Sequence, residues 1–370
     1  MPHDPYGAMY VHVPFCKSRC AYCDFATEAI PNDSKVIDEY IESLIIDIRR
    51  QSKADELGSI KTIYIGGGTP SYIGLSRLSS LLYAISLSVI TTRPDMEWSM
   101  EANPESIDER LIRDIWAMGV NRLSIGVQSF DDDVLSFLGR PHDAATAKQA
   151  VKTAQSRFTN ISVDLMCGIP GQSDESFTDS VKTAIELGVT HVSIYPLTIE
   201  EHTPFYRDVM AGLIPEPDDD VEARHMKIAQ SILSEAGFAR YEVASYAKPG
   251  YECKHNIAYW TGVPYIGFGR SAATMTQNDE RRMRMTDGVV TDDLSRPERE
   301  AEDLMLGMRM TRGVSHERVD QAKLYLNGVD QAFAKLQDKG LVACTDEGFA
   351  PTEKGWLCGN ELYGELFSLA

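Results

Sequence analysis

The sequence predicts an α/β fold: a partial (β/α)6 barrel followed by a smaller C-terminal helical domain that resembles a winged helix. Three observations support this prediction. Six apolar, β-rich runs alternate with longer amphipathic stretches, glycines and polar residues follow the carboxyl ends of the runs, and the alternation stops after Thr198. Parallel strands covered by helices have few polar positions, so six β-then-α units predict a parallel barrel or most of one.

The six predicted strands are Met9–Val13, Lys61–Ile65, Glu97–Pro104, Asn121–Phe130, Ile161–Gly171 and His191–Thr198. Polar or glycine residues at or near the carboxyl ends of these strands are Gly67, Gly68, Thr69, Glu101, Asn103, Gln128, Asp164 and Gly168. Parallel barrels bind their ligands at this face. A packing requirement alone does not gather glycines and carboxylates at one end of successive strands, so the pattern predicts a ligand site there.

Three regions follow from the change of pattern along the chain. Residues 1–236 are predicted to form the barrel, residues 237–295 a connecting region, and residues 296–370 the C-terminal domain. The charged segment 277–300 is expected to be an exposed hairpin or loop.

The C-terminal domain is predicted to contain three helices, two short strands and a closing helix. Winged helices often bind DNA, but the helical segments ERVDQAKLYL and VDQAFAKLQDKG carry mixed charge and offer no basic recognition helix. A packing module that covers the barrel opening is therefore the favoured interpretation.

Composition narrows the class of protein. The formal net charge of −19 over 370 residues argues against a nucleic-acid partner, which requires basic patches to neutralise phosphates. No apolar stretch is long enough for a membrane-spanning helix, and the first ten residues lack the features of a signal peptide. Seven cysteines without an export signal fit a reducing compartment. We expect a cytoplasmic protein without stable membrane insertion.

Cys16, Cys20 and Cys23 form a CxxxCxxC cluster in a loop after the first predicted strand. A cubane iron–sulfur cluster normally takes four thiolates, so three ligands from one loop leave one iron with an open position. Zinc is the alternative, but zinc sites more often pair CxxC with a second distant pair of ligands, and no such pair follows here.

Several motifs occur in one order: the cysteine loop, then GGGTP, EANP, GVQSF, LGRPH and DLMCGIPGQ. On these motifs the chain resembles the radical S-adenosylmethionine (SAM) proteins of the oxygen-independent coproporphyrinogen III oxidase superfamily. It is closest to the haem chaperone branch, HemW. The resemblance covers nearly the whole chain. It implies a [4Fe–4S] cluster on Cys16, Cys20 and Cys23, with SAM bound to the fourth iron.

The resemblance also assigns residues to the methionine end of SAM. It implies that the segment with Gly67, Gly68 and Thr69 holds the amino group, where missing side chains allow close backbone approach. It implies that Arg140 of LGRPH holds the carboxylate, which a guanidinium fork matches geometrically. A solvated surface arginine is the alternative for Arg140.

The remaining SAM contacts follow from the same resemblance. Gln128 and Asp164 resemble ligands of the ribose hydroxyls, and Glu101 resembles a carboxylate that helps to hold the same molecule. Tyr22 is expected against the adenine, and Tyr10 beside the cluster. Each of these residues alone could be a buried polar group satisfied by the backbone.

Two departures separate this chain from the oxidase. The oxidase motif continues as CxxxCxxCxC, whereas Phe25 stands at the place of the fourth cysteine. Only nine residues precede Tyr10, where the oxidase carries a long N-terminal extension. Both departures favour the chaperone branch.

The segment His255–Trp260 reads HNxxYW and resembles the haem motif proposed for the chaperone branch. A neutral imidazole is a common ligand of haem iron, so His255 is the predicted haem contact and Cys253 a second candidate. The alternative is a packed, hydrogen-bonded core histidine. Relatives commonly place a histidine where this chain has Ala273.

The predicted function is therefore a radical-SAM-type chaperone that binds haem and delivers it to an acceptor protein, such as a respiratory enzyme. The alternative is oxygen-independent coproporphyrinogen III oxidase; a radical SAM enzyme with another substrate and a winged-helix regulator are further alternatives. The sequence leaves open whether SAM is cleaved, which protein donates electrons, and whether the chain forms a homodimer.

Overall fold

The computed structural model describes residues 3–54, 56–89 and 95–370. All six predicted barrel strands are present in this part of the chain, with bounds that differ by a few residues. The strands are β1 Ala8–Val13, β2 Phe15–Cys16, β3 Glu28–Ala29, β4 Thr62–Gly67, β5 Glu97–Ala102, β6 Arg122–Gln128, β7 Asn160–Cys167, β8 His191–Pro196, β9 Ala239–Arg240, β10 Ser245–Ala247, β11 Tyr265–Phe268, β12 Ala273–Gln277, β13 Arg281–Thr286, β14 Val289–Ser295, β15 Val314–Ser315, β16 Val342–Cys344 and β17 Gly348–Pro351.

The helices connect and cover these strands. They are α1 Lys35–Lys53, α2 Leu75–Ser88, α3 Glu109–Ala117, α4 Asp132–Phe137, α5 Ala144–Ala154, α6 Asp174–Glu186, α7 Pro204–Met210, α8 Asp219–Glu235, α9 Lys254–Trp260, α10 Arg296–Gly307, α11 His316–Ala322, α12 Val329–Asp338, α13 Glu353–Leu357 and α14 Gly359–Phe367. Short 3₁₀ turns lie at Pro70–Ile73 and Pro104–Ser106.

A sheet of twelve strands organises the larger part of the molecule, in the order β14-β13-β12-β11-β1-β4-β5-β6-β7-β8-β10-β9. The six barrel strands β1, β4, β5, β6, β7 and β8 are mutually parallel. Strand β11 adds a seventh parallel strand beside β1, and antiparallel strands extend both edges. Strands from residues 239–295 thus belong to the barrel sheet.

Alternation along each strand separates two environments. In β6, Leu123, Ile125 and Val127 join the apolar core beneath the outer helices, whereas Arg122 and Ser124 lie on the opposite face. Helix α1 contributes one apolar stripe to this core, formed by Ile37, Ile41, Leu44 and Ile48. The barrel is therefore stabilised from outside and leaves a polar inner face.

The C-terminal domain has its own apolar core, built around residues such as Leu304, Phe333 and Leu362. A three-stranded sheet, β15-β17-β16, completes the winged-helix-like arrangement. Contacts of α10 with α9 and β13, and the stacking of Arg309 on Trp260, attach this domain where the barrel strands begin. The domain was expected to cover the barrel opening, and this expectation is wrong. Strand β14 runs toward the end where the barrel strands begin, and α10, the first helix of the domain, starts directly after it.

The charged segment 277–300 contains the hairpin of β13 and β14, as expected, and β14 is largely exposed, but β13 is partly covered. Its strands form part of the main sheet, and Arg282 is buried. The Arg282 guanidinium donates to Glu302 at 2.6 Å and to Asp303 at 2.7 Å, both on α10. The segment looks exposed in sequence because charged residues recur along it. In the structure, one of its faces is an interface with the C-terminal domain.

Candidate cofactor site

The glycine segment at the end of β4 lies against the end of β5. Gly67 has φ of +112°, and a Cβ there would come within 2.5 Å of the His12 ring. A Cβ on Gly68 would lie 2.8 Å from the backbone of Phe15. Only glycine allows these strand ends to pack so closely. The GGGTP motif is thus explained by the close approach of its backbone to the His12 ring on β1 and to the backbone of Phe15 at the start of the cysteine loop.

Glu101 holds this glycine segment in place. Its carboxylate accepts hydrogen bonds from the Gly67 N–H at 3.0 Å and from the Tyr64 hydroxyl at 2.9 Å. Burial raises the pKa of Glu101 from 4.5 to about 7, and the nearby Asp164 carboxylate adds to the rise against the opposing hydrogen bonds. Glu101 is therefore a buried carboxyl that changes charge near neutral pH.

The cysteine loop leaves the end of β1 and is closed by the short parallel pairing of β2 with β3. Cys16, Cys20 and Cys23 are all free thiols. Burial raises the pKa of Cys16 to about 11 against the opposing hydrogen bond from Thr69, and the nearby Cys23 and Cys20 add to the rise. Among the residues with described positions, no three His, Cys, Asp or Glu side chains already form a metal-binding group.

A continuous chain of polar side chains connects two of these cysteines. The Thr69 hydroxyl donates to Cys16 Sγ at 3.5 Å, and Asn103 Nδ2 donates to Thr69 Oγ1 at 2.9 Å. Arg140 Nη2 donates to Asn103 Oδ1 at 2.9 Å, and its Nη1 donates to Cys20 Sγ at 3.2 Å. The strand ends and the cysteine loop are thus joined through side chains as well as through backbone.

The other predicted SAM residues lie on the same inner face of the barrel or beside the loop. Tyr10 stacks on Tyr64 with ring centroids 6.3 Å apart, and Tyr22 packs near Phe205. Gln128 has φ of +69° at a register shift between β6 and β7. Half-buried Asp164 accepts hydrogen bonds from Ser124 and Ser162, and desolvation of the carboxylate raises its pKa.

His255 occupies a different place, at the end of the barrel where the strands begin. Its side chain is 1% exposed. Nδ1 shares a hydrogen bond with the Thr62 hydroxyl at 2.9 Å, and Nε2 shares one with the Tyr259 hydroxyl at 3.1 Å. Burial, with the Arg122 charge nearby, lowers the pKa of His255 to about 3, so the imidazole is neutral. Cys253 is buried too and donates to Glu97.

The sequence did not single out His12 and Tyr64, and it placed Asn103 among the polar strand ends without a role of its own. Asn103 lies two positions after Glu101, and His12 lies two after Tyr10. Because strand side chains alternate between faces, this spacing of two was the available signal.

Comparisons with known proteins identify the family. The radical SAM superfamily matches residues 10–184, and the HemN C-terminal domain matches residues 294–358. Heme chaperone HemW of Bacillus subtilis is 34% identical over 96% of this chain and 97% of the relative. This chain belongs to the HemW family. HemW of Mycobacterium tuberculosis H37Rv is 40% identical over 74% of this chain and 70% of the relative, and HemW of Escherichia coli is 38% identical over 75% and 73%.

A solved structure with a similar fold is coproporphyrinogen III oxidase (HemN) from Escherichia coli. The TM-score is 0.80 at 21% identity, and the match covers 99% of this chain and 91% of that chain. At this identity the likeness establishes the α/β barrel fold with its C-terminal domain. Over residues 3–54, 56–89 and 95–370, no helix is both long and apolar enough to cross a membrane.

Radical SAM membership implies a [4Fe–4S] cluster and SAM. The residues present fit both groups. Three free thiols lie on one loop, and the buried Nε of Arg140 has no hydrogen-bond partner among the described residues, so one donor of the guanidinium is available.

Proposed function

We propose that this chain is a haem chaperone that carries a [4Fe–4S] cluster and SAM, binds haem and passes it to an acceptor protein. The observation that carries the proposal is the near-full-length likeness to relatives named heme chaperone HemW. The three free thiols beside the ends of the parallel strands support it, because a cluster with three protein ligands retains one iron for SAM.

The proposed roles of the site residues follow the sequence resemblance. Cys16, Cys20 and Cys23 would hold the cluster, and the chemistry that the cluster would supply when reduced is transfer of one electron to SAM. Gly67, Gly68 and Thr69 approach the amino group of SAM. Gly67 lies with Glu101 at one strand end, where the hydrogen bond between them fixes the backbone.

The rest of the SAM site is assigned in the same way. Arg140 is assigned to the methionine carboxylate, and its Nε has no hydrogen-bond partner among the described residues. Gln128 and Asp164 bind the ribose, Tyr22 lies against the adenine, and Tyr10 lies beside the cluster.

Haem binding is assigned to His255, and the structure defines what must change for it. Both ring nitrogens are occupied and the residue is 1% exposed, so coordination to haem iron requires the bond between Nε2 and Tyr259 to open and the packing around the ring to move. Replacing Tyr259 with Phe removes that competitor and leaves the ring packing in place. Tyr259→Phe is therefore expected to bind haem more tightly than the wild type.

One preparation tests the proposal. The protein is reconstituted anaerobically and titrated with haem by absorbance, and coproporphyrinogen turnover is assayed in parallel. We expect a stoichiometric haem complex, its loss in His255→Ala, a gain in affinity in Tyr259→Phe and no turnover. Thr62→Val is the matched control, because it removes the other hydrogen bond of His255 without freeing Nε2. Turnover of coproporphyrinogen without a haem complex supports the oxidase and contradicts the chaperone.

The partners belong to the same proposal. The acceptor is a haem protein such as a respiratory enzyme, a separate protein donates electrons to the cluster, and the exchange takes place in the cytoplasm. A homodimer is compatible with this arrangement.

A further inference from the structure

Asn103 is the residue on which the polar chain between the two cysteines depends. It follows β5 directly, and both ends of its side-chain amide are used by other side chains. Nδ2 donates to Thr69 and Oδ1 accepts from Arg140, each at 2.9 Å. No other described side chain bonds to both of these partners, so the amide fixes their separation.

Each partner of Asn103 donates in turn to a cysteine sulfur. Thr69 reaches Cys16 Sγ at 3.5 Å, and Arg140 reaches Cys20 Sγ at 3.2 Å. Asn103 sets the direction of the Thr69 bond and the position of the Arg140 guanidinium, which can only donate. The amide accepts one arm of the Arg140 guanidinium, and by donating to Thr69 Oγ1 it leaves the hydroxyl proton of Thr69 free for sulfur.

Arg140 is held in a further way that restricts its movement. Its Nη2 also donates to the Gly126 carbonyl at 2.7 Å, and the residue is half-buried. A guanidinium is planar, so two acceptors on one nitrogen orient the whole group. The Nη1 donor therefore points at Cys20 because Asn103 and Gly126 fix the opposite arm.

We propose that Asn103 is a positioning residue that tunes the reduction potential of the cluster through Thr69 and Arg140. Hydrogen bonds to ligand sulfurs withdraw electron density and stabilise the reduced cluster, which carries one more electron, and they are one of the protein's means of setting its potential. The arginine charge acts in the same direction. This inference rests on the proposed cluster and does not depend on haem binding.

Asn121 provides a matched control, because it bonds to the backbone at the start of β5, whereas Asn103 follows the end of β5. Its Oδ1 accepts from the Trp98 N–H at 2.9 Å, and its Nδ2 donates to the Met96 carbonyl at 2.8 Å. It makes the same number of side-chain hydrogen bonds as Asn103, but to backbone only. Asn121→Ala therefore reports the effect of losing a structural asparagine near β5.

The test compares the wild type with Asn103→Ala, Asn103→Asp and Asn121→Ala. Asn103→Asp preserves shape but offers Thr69 an acceptor, so the hydroxyl turns from Cys16 to the new carboxylate. After anaerobic reconstitution, iron content is measured and the potential is determined by a redox titration followed by electron paramagnetic resonance (EPR).

We expect both Asn103 variants to keep the cluster and to lower its potential. The expected change is about tenfold in the ratio of reduced to oxidised cluster at a fixed poise, or about 59 mV for one electron. The inference is overturned if the Asn103 variants have the same potential as the wild type or Asn121→Ala. It is also overturned if both Asn103 variants lose the cluster while their thermal stability is unchanged. A wild type that assembles no cluster contradicts the proposed function instead, and one that assembles a cluster but binds no haem contradicts only the chaperone role.

Discussion

Polar residues on the inner face of the barrel occupy alternate positions of neighbouring strands, and most of them bond to one another. Glu101 bonds to Tyr64, and Asp164 bonds to Ser124. The sequence could place these residue types at strand positions because the side-chain period of a strand is two. It could not predict the pairs, because their partners come from strands that are distant in sequence.

The raised pKa of Glu101 predicts how the stability of the protein depends on pH. The pKa of Glu101 is about 7 in the folded protein and 4.5 ordinarily, so the folded protein holds this proton more tightly than the unfolded chain does. The stability that this difference contributes is fully present below about pH 4.5 and is lost as the pH rises through 7. The loss in free energy of unfolding is at most about 3 kcal/mol, because each tenfold change in proton affinity corresponds to about 1.4 kcal/mol. Glu101→Gln has no charge to bury, so its stability should change less between pH 5 and pH 8.

Urea denaturation of the metal-free protein at the two pH values measures this difference. Glu109→Gln, at the exposed start of α3, is the control for removing a carboxylate and should follow the wild type. An equal loss of stability with pH in Glu101→Gln and wild type would show that another group is responsible.

At the level of elements, helix α9 depends on a residue far away in the chain. Its N-cap, Cys253, provides no side-chain hydrogen bond to the first turn. Glu97 at the start of β5 provides two instead, because its carboxylate accepts from the N–H groups of Lys254 at 2.8 Å and His255 at 3.1 Å. A carboxylate is favourable at a helix N-terminus, where the first N–H groups lack partners.

Glu97→Ala should therefore destabilise the protein by about 3 kcal/mol, since charged hydrogen bonds contribute roughly 1.5–3 kcal/mol each and buried Arg122 loses a neighbouring charge. Urea denaturation measures the loss, and hydrogen–deuterium exchange should show faster exchange in α9. Asp95→Ala is the control, because the Asp95 side chain is exposed and only its carbonyl bonds to Lys254. Slow exchange in α9 of Glu97→Ala would contradict the capping role.

Element prediction from sequence succeeded where a local pattern was sufficient. The apolar runs located β4 to β8 and the helices between them, and Ser and Asp caps begin α1, α3 and α6 as expected of helix starts. Strand β11 was missed because it has only four residues, and its partner β1 lies more than 250 positions earlier. Short strands without alternation have little signal of their own.

The whole molecule combines one large sheet with a C-terminal domain attached where its parallel strands begin. The fold class and the gathering of polar strand ends at one end of the barrel could be predicted, because β-then-α alternation and polar strand ends are properties of the chain itself. The position of the C-terminal domain could not, since it depends on buried pairs such as Arg282 with Glu302. The cysteine loop and this domain therefore lie at opposite ends of the strands.

The central claim is that three thiols of one loop hold an iron–sulfur cluster whose remaining iron binds SAM. The EPR spectrum of the reduced, anaerobically reconstituted protein, recorded with and without SAM, tests it most directly. We predict about four iron atoms per chain and a signal whose line shape changes when SAM is added. Stoichiometric zinc in place of iron, or a cluster signal that does not respond to SAM, would contradict the account.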